Sequence, residues 1–280
     1  MKVLLAGGTG YLGSYILREL LIQNYQVVAL ARDTSRLPEG QYEAHSVQLT
    51  KPKTLEGSMQ GVDVVISTVG ITRQKDGLTY MAVDYRANLN LLNEARKAGV
   101  KKFIYVSVLN GEHLTQLKIC EAKEKFVNTL MNSGMDYCVI RPNGFFSDMG
   151  DFLDMAKQGR VYLFGDGKKK MNPIHGADLA EQCVSSIHSD LKILKVGGPI
   201  TYSQNQIAEL ALRVQGKKIR VVHLPDGIRR FVLWLLRTFT SVKTYGPAEF
   251  FLTAMSYDMV APEYGSHTLE EFYRHQLNKD

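Results

Sequence analysis

Cysteine is scarce. The 280-residue chain has three, Cys120, Cys138 and Cys183, far apart and without a CxxC pair. This excludes a disulfide framework and a cysteine-based zinc site, and a reducing cytoplasm is the expected compartment. Long apolar runs are lacking as well. No stretch reaches the roughly 18 uncharged apolar residues of a membrane-spanning helix. The N-terminal run VLLAGG is broken by glycine too early for a signal peptide. Strong charge of one sign is missing too: 34 Lys and Arg against 28 Asp and Glu leave a net +6, a mild bias toward anionic ligands. No basic stripe interleaved with aromatics points to nucleic acid, and the densest run, Lys168 to Lys170, reads as a solvated turn. Neither GxxxxGK[ST], HExxH nor GxSxG occurs, so phosphate-loop, metal and nucleophile-elbow chemistry have no sequence signal. Repeats, low-complexity segments and linkers rich in Pro, Gly or Ser are also absent.

What the chain has instead is alternation. VLLA (3–6), QVVALA (26–31), DVVIST (63–68), FIYVSV (103–108) and YCVIRP (137–142) are strand-length apolar runs, separated by stretches with apolar residues at three- and four-residue steps. Strands apolar throughout are those covered on both faces, as in a parallel sheet between helices. KAGV (97–100) and NSGM (132–135) place glycine just after a helical stretch, where a left-handed cap is needed. The expected fold is α/β, a doubly wound parallel sheet of the Rossmann kind with a smaller C-terminal substrate or cap region. Residues 1–150 form the dinucleotide-binding core in this reading and 151–280 the mixed region, packed with it as one body. RVYLFGDGKKKMNPI reads as two short strands about a turn.

The stretch GGTGYLG raises the question of a nucleotide. Gly8, Gly10 and Gly13 satisfy GxGxxG, and Gly7, Gly10 and Gly13 satisfy GxxGxxG, directly after a strand and opening an amphipathic helix. Such a site needs a tight turn, a residue without Cβ beside the pyrophosphate, and close packing of helix on strand. Helix-start amides then bind the anion. At the end of the second strand, where an acidic residue would bind the ribose hydroxyls of NAD, ALARD offers Ala31 and then Arg32. An arginine pairs with a 2′-phosphate, so NADP(H) is expected, with NAD(H) the alternative kept open by Asp33. Arg36 stands where it could assist.

With these features and GVDVVISTVG, AGVKKFIYVSVLNG, SGMDYCVIRPNGFF and FGDGKKKMNPIHGADLA, the chain resembles the atypical, NmrA-like branch of the short-chain dehydrogenase/reductases over nearly its whole length. Three sub-branches look nearest: assembly factors of photosynthetic membrane complexes, NADPH-dependent vinyl reductases of chlorophyll synthesis, and the NADP-holding accessory subunit of complex I. The resemblance implies a cofactor-binding set of Gly7, Thr9, Gly10, Tyr11, Leu12, Gly13, Arg32, Gln48, Thr68, Val69, Gly70, Ser107, Lys123, Pro142, Asn143, Gly144 and Phe145. Ser107 falls on the family's active-site serine and Lys123 on its lysine, so these two are the expected catalytic pair. Gln48 replaces the family's usual Asp near adenine and can still hydrogen-bond a base edge.

One departure is larger. Active members carry a tyrosine four residues before the lysine, as proton donor. Here that position is Ile119, and none of the 14 tyrosines has a lysine four residues after it. Three explanations stand: Lys123 itself is the acid, with a pKa lowered by burial; His113, His175, Tyr80 or Tyr85 fills in; or the site holds cofactor without chemistry. The leading expectation is an NADPH-dependent reductase of an unidentified small molecule, and the alternative a non-catalytic NADP(H)-binding assembly factor or sensor. IRRFVLWLLRTF sets Arg229, Arg230 and Arg237 among apolar residues. Such a segment packs over a cleft, or meets a membrane surface or a protein partner through residues 228–240.

Overall fold

The apolar runs become the strands of one sheet. The computed structural model describes residues 1–278. The first part of the chain runs β1 (Lys2–Ala6), α1 (Tyr11–Ile22), β2 (Gln26–Ala31), β3 (Glu43–Ser46), β4 (Val64–Ser67), α2 (Asn88–Lys97), β5 (Lys102–Val106), α3 (Lys118–Met131) and β6 (Asp136–Pro142). A π-helical stretch, Met81–Ala87, leads straight into α2. The rest comprises α4 (Gly150–Lys157), β7 (Val161–Phe164), β8 (Lys170–Met171), α5 (Gly176–Ser185), β9 (Ile193–Val196), β10 (Tyr202–Ser203), α6 (Gln204–Val214), β11 (Val221–Leu224), α7 (Asp226–Phe239), α8 (Val242–Ala254) and α9 (Leu269–Leu277).

The sheet has seven strands in the order β3-β2-β1-β4-β5-β6-β9. Pairing is parallel from β3 through β6, in a register that sets Ala6 beside Leu30 and Ser67, and Ser67 beside Tyr105. The connections leave β1 in opposite directions toward β2 and β4, which makes the carboxyl ends of these strands the place where a doubly wound sheet binds its ligand. β1, β4 and β5 are buried along nearly their whole length, as their apolar runs require. Leu4, Val28, Val65, Phe103 and Tyr105 pack with Leu91 of α2 and Phe126 of α3 in one core cluster. Both anticipated helix stops are present: Gly99 (φ +71°) and Gly134 (φ +77°) take the left-handed conformation.

By its contacts the chain divides into two compact units, Met1–Arg141 with Leu179–Leu194, and Pro142–Asp178 with Lys195–Asp280. Within the second, the two short strands expected about the KKK turn are present, and they do not pair with each other. β7 pairs parallel with β11, and β8 antiparallel with β10. The intervening turn, with Lys168 and Lys169 exposed beside Asp166 and Asp258, leads the two strands to separate partners. This unit is knitted by Asn172, wholly buried, whose amide bonds the carbonyls of Gly198 and Ala261 and the amide of Ala261. Tyr273 of α9, also wholly buried, donates to the carbonyl of Met149.

Candidate functional site

The loop after β1 is built for a close visitor. Gly7 has φ +96°, and a Cβ there would stand 2.4 Å from Thr68 Oγ1. A Cβ on Gly13 would stand 2.0 Å from the carbonyl oxygen of Gly7, so α1 lies against the loop as only glycine permits. No side chain caps α1 at Gly10 and its first turn holds no carboxylate, so its amides present positive potential to an anion. Thr9 and Gly10 are exposed there, while Leu12 is buried and Tyr11 packs edge-on against Tyr15. These features fit a dinucleotide pyrophosphate.

At the end of β2, Arg32 is exposed, and its carbonyl accepts from Ser46 Oγ. Asp33 turns back on its own chain, where its Oδ1 accepts from the amide and hydroxyl of Ser35. Those bonds hold the Asp33 carboxyl below the usual range. The residue that argued for NAD is thus a turn cap. Gln48 lies two residues beyond the end of β3, exposed, with its backbone pinned by Thr54.

The centre of the first unit is an ion pair. Lys123 Nζ on α3 is 3.0 Å from Oδ1 of Asp84, which lies on the π-helical stretch and is wholly buried. Asp84 Oδ2 accepts the amide of Ile71, which anchors the loop after β4. Gly70 in that loop approaches so closely that a Cβ would meet Asp84 Oδ1 at 2.6 Å and Lys123 Nζ at 2.7 Å. Lys123 also stands 5.7 Å from the ring centre of Tyr105. Burial pushes the Lys123 pKa down, but Tyr105 and Asp84 push it up by more, so it lies above the ordinary lysine range. Burial raises the Tyr105 phenol to about 12, so near neutrality it is uncharged and Asp84 is the charge facing Lys123. Burial also raises the Asp84 carboxyl, against the pull of Lys123. The shift of Lys123 is opposite to the one an acid role required: this lysine keeps its proton and acts by charge and hydrogen bonding. Ile119, one turn earlier on α3, is buried.

Ser107 belongs to a second polar cluster. Its hydroxyl donates to Glu124 Oε1 at 3.1 Å, and Glu124 forms a two-point bridge to Arg141 with both contacts at 2.7 Å. Arg141 reaches Glu112 at 2.9 Å and the carbonyl of Val108 at 3.1 Å. Glu124 and Arg141 are both buried, and forked pairs of this kind are directionally strict. The serine is oriented by protein groups.

A family model described as NAD(P)H-binding matches residues 7–190. The chain belongs to that NAD(P)H-binding family. Among curated relatives, it is 29% identical to the chloroplastic divinyl chlorophyllide a 8-vinyl-reductase of Cucumis sativus, over 99% of this chain and 76% of that one. It is 28% identical to the photosystem II assembly factor Ycf39 of Synechocystis, over 86% and 74%. Its fold is that of the NADPH-dependent quinone oxidoreductase QOR2 of Escherichia coli, with a TM-score of 0.75 at 18% identity over 99% and 100% of the chains. A nucleoside-diphosphate-sugar epimerase of Staphylococcus aureus gives 0.76 at 16% identity, over 98% and 100%. The NAD(P)-binding Rossmann family and the likeness to chlorophyll vinyl reductases and photosynthetic assembly factors expected from the motifs are borne out.

In this NAD(P)H-binding chain, the first unit brings together the glycine loop, Arg32, Gln48 and Thr68–Gly70 at the strand ends, with Ser107 and Lys123 on the β5–α3 side. Thr68 Oγ1 reaches the carbonyls of Ala6 and Gly7, and Val69 is buried. The remaining expected residues lie in the second unit. Pro142 and Asn143 are buried, while Gly144 and Phe145 are partly exposed. The Asn143 amide is spent on Asn172 Oδ1 and the carbonyl of Met259, so it anchors its loop.

Of the stand-in donors, His113 is exposed on a turn, Tyr80 is buried with its hydroxyl on the carbonyl of Thr72, and Tyr85 lies under Lys125. His175 stacks on His267 at 4.2 Å, and His267 Nδ1 is 2.6 Å from Asp178. Sequence reasoning missed Asp84, Asn88, Glu124 and Arg141. Asn88 joins Ser67 Oγ to the carbonyls of Val69 and Asp84. The available signal was polar residues at Asp84 and Asn88, one turn apart on an otherwise apolar helical face.

Proposed function

We infer that the protein is an NADPH-dependent reductase of a conjugated small molecule. The observation that carries this reading is the Lys123–Asp84 pair, with Lys123 beside Gly70 at the strand ends. Replacing a buried ion pair with apolar residues is often neutral or stabilising. A buried pair of this kind supports a site that must fix a charged hydrogen-bond donor at the reacting end of the cofactor. Arg32, beside an Asp33 whose carboxylate is taken up by Ser35, supports NADPH over NADH. The names of the relatives supply the acceptors to try first, a vinyl group on a conjugated ring or a quinone.

When bound, NADPH supplies the hydride. The α1 amides take the pyrophosphate, Arg32 the 2′-phosphate, and the Lys123 ammonium hydrogen-bonds the nicotinamide-side ribose. Asp84 keeps that ammonium charged and in place. With isoleucine at 119, no tyrosine on α3 delivers the proton, and solvent water supplies it to the reduced acceptor. A second reading is favoured by that isoleucine and by Ser107, whose hydroxyl is turned onto Glu124: the site holds NADP(H) without turnover, in an assembly protein.

The test follows NADPH absorbance in purified protein offered quinones and divinyl tetrapyrroles. Oxidation that Lys123→Met slows by about 100-fold in kcat/KM, with little change in quinone or tetrapyrrole binding, supports the reductase. Tight NADPH binding with no oxidation by either class supports the second reading.

A further inference from the structure

Helix α7 turns its apolar face outward. Leu233 is its only buried residue, while Ile228, Phe231, Trp234 and Phe239 are 42%, 57%, 56% and 74% exposed. At about 100° per residue these four and Leu235 fall within about 140° of the helix circumference, one stripe along a helix of about 21 Å. Phe231 and Trp234 stack on each other at 5.9 Å along it. Ile219, just before β11, is 60% exposed as well. The expectation that this segment packs its apolar side over a cleft is therefore not met on the α7 face itself.

Charge is concentrated at the same place. Residues 217–243 hold seven lysines and arginines and one acidic residue, which accounts for the whole net +6 of the chain; the remainder is balanced. Lys217, Lys218, Arg220 and Lys243 are exposed. Asp226 is shared by Arg229 and Arg230, and Arg237 is bound to Glu249 of α8.

We propose that α7 is a membrane-interface helix that seats the protein on an anionic lipid surface. An exposed apolar stripe with aromatics along it, in a segment that carries exposed cations, matches a headgroup boundary, which asks for apolar insertion and charge but no shaped groove. A protein partner would read polar groups along the stripe for specificity, and Ile228, Phe231, Leu235 and Phe239 supply none, leaving the Trp234 indole N–H and Thr238, whose hydroxyl is already bonded to the Trp234 carbonyl. Among the described residues no helix is long and apolar enough to cross a membrane, so α7 lies on the surface. Each flanking cation adds attraction that salt screens.

The chain's single tryptophan, Trp234, reports directly on the stripe. Full-length protein is titrated with vesicles of phosphatidylcholine alone and with one-third phosphatidylglycerol, with Trp234 emission and co-sedimentation followed together. The expected result is a blue shift and binding at least about tenfold tighter to the anionic vesicles, largely lost in high salt. Phe231→Ser with Phe239→Ser is expected to abolish binding, and Lys217→Glu with Lys218→Glu to remove the anionic preference. Circular dichroism and NADPH affinity should stay unchanged in both. No co-sedimentation with anionic vesicles overturns the proposal, as does binding indifferent to the phenylalanine variant. A blue shift without lipid, accompanied by dimers in sedimentation, overturns it in favour of a second copy on α7.

Discussion

Replacing Asp84 with Asn removes the countercharge of Lys123 while preserving shape and the acceptor for the Ile71 amide. At 3.0 Å, and with an effective dielectric of about 20, the gross attraction in this pair is about 5–6 kcal/mol. Desolvation offsets much of it, and removing one member of a buried pair typically costs about 3–5 kcal/mol. The Lys123 side chain retains 14% exposure while Asp84 has none, so the orphaned ammonium can turn toward water and the expected loss is near the lower bound, about 3 kcal/mol. Lys123→Met leaves a carboxyl that escapes its burden by taking up a proton, and should cost less, about 2 kcal/mol. The double variant should fall short of the sum by about 1–3 kcal/mol. Amide hydrogen exchange in β4 and β5 reads this unit directly, because it reports local opening free energies. Additivity within about 0.5 kcal/mol would mean that the two groups do not interact, and the account of the site would fail at its centre.

Arg32→Ala should weaken NADPH binding by about tenfold or more while leaving NADH unchanged, since a charge-assisted hydrogen bond is worth about 1.5–3 kcal/mol; a fluorescence titration with both dinucleotides decides it. Gly13→Ala forces a methyl group against the Gly7 carbonyl at 2.0 Å, and the expected overpacking cost of about 3 kcal/mol should appear as a lower melting temperature together with lost dinucleotide binding. His175 is held below the usual imidazole pKa by burial and by His267, against the pull of Asp178. The unfolded chain therefore binds this proton more readily, so stability should fall as pH drops below about 6.5. In His175→Gln that dependence should flatten, as urea midpoints at acidic and neutral pH would show.

The strands and the glycine loop were legible because their signals are local. An apolar run such as VLLA, a glycine where α1 must touch the loop, and a glycine after α2 and α3 are each determined within a few residues. The separate partners of β7 and β8 were not legible, since a short strand carries no record of which edge it joins. Nor was the meaning of Asp33: its sequence position suits a ribose ligand, and only the bonds to Ser35 show it to be a cap.

The same division applies to the site. From sequence alone came an α/β dinucleotide-binding chain, an arginine placed for a 2′-phosphate, a lysine without its tyrosine, and a basic aromatic segment near the C-terminal end. The tertiary structure alone decided that this lysine is held charged by Asp84, that Ser107 answers to Glu124 and Arg141, and that the aromatic face of α7 looks outward. The reason is physical. Periodicity and backbone geometry act between near neighbours in the chain, whereas a pKa, an ion pair or an exposed face is set by groups that meet only once distant segments have packed.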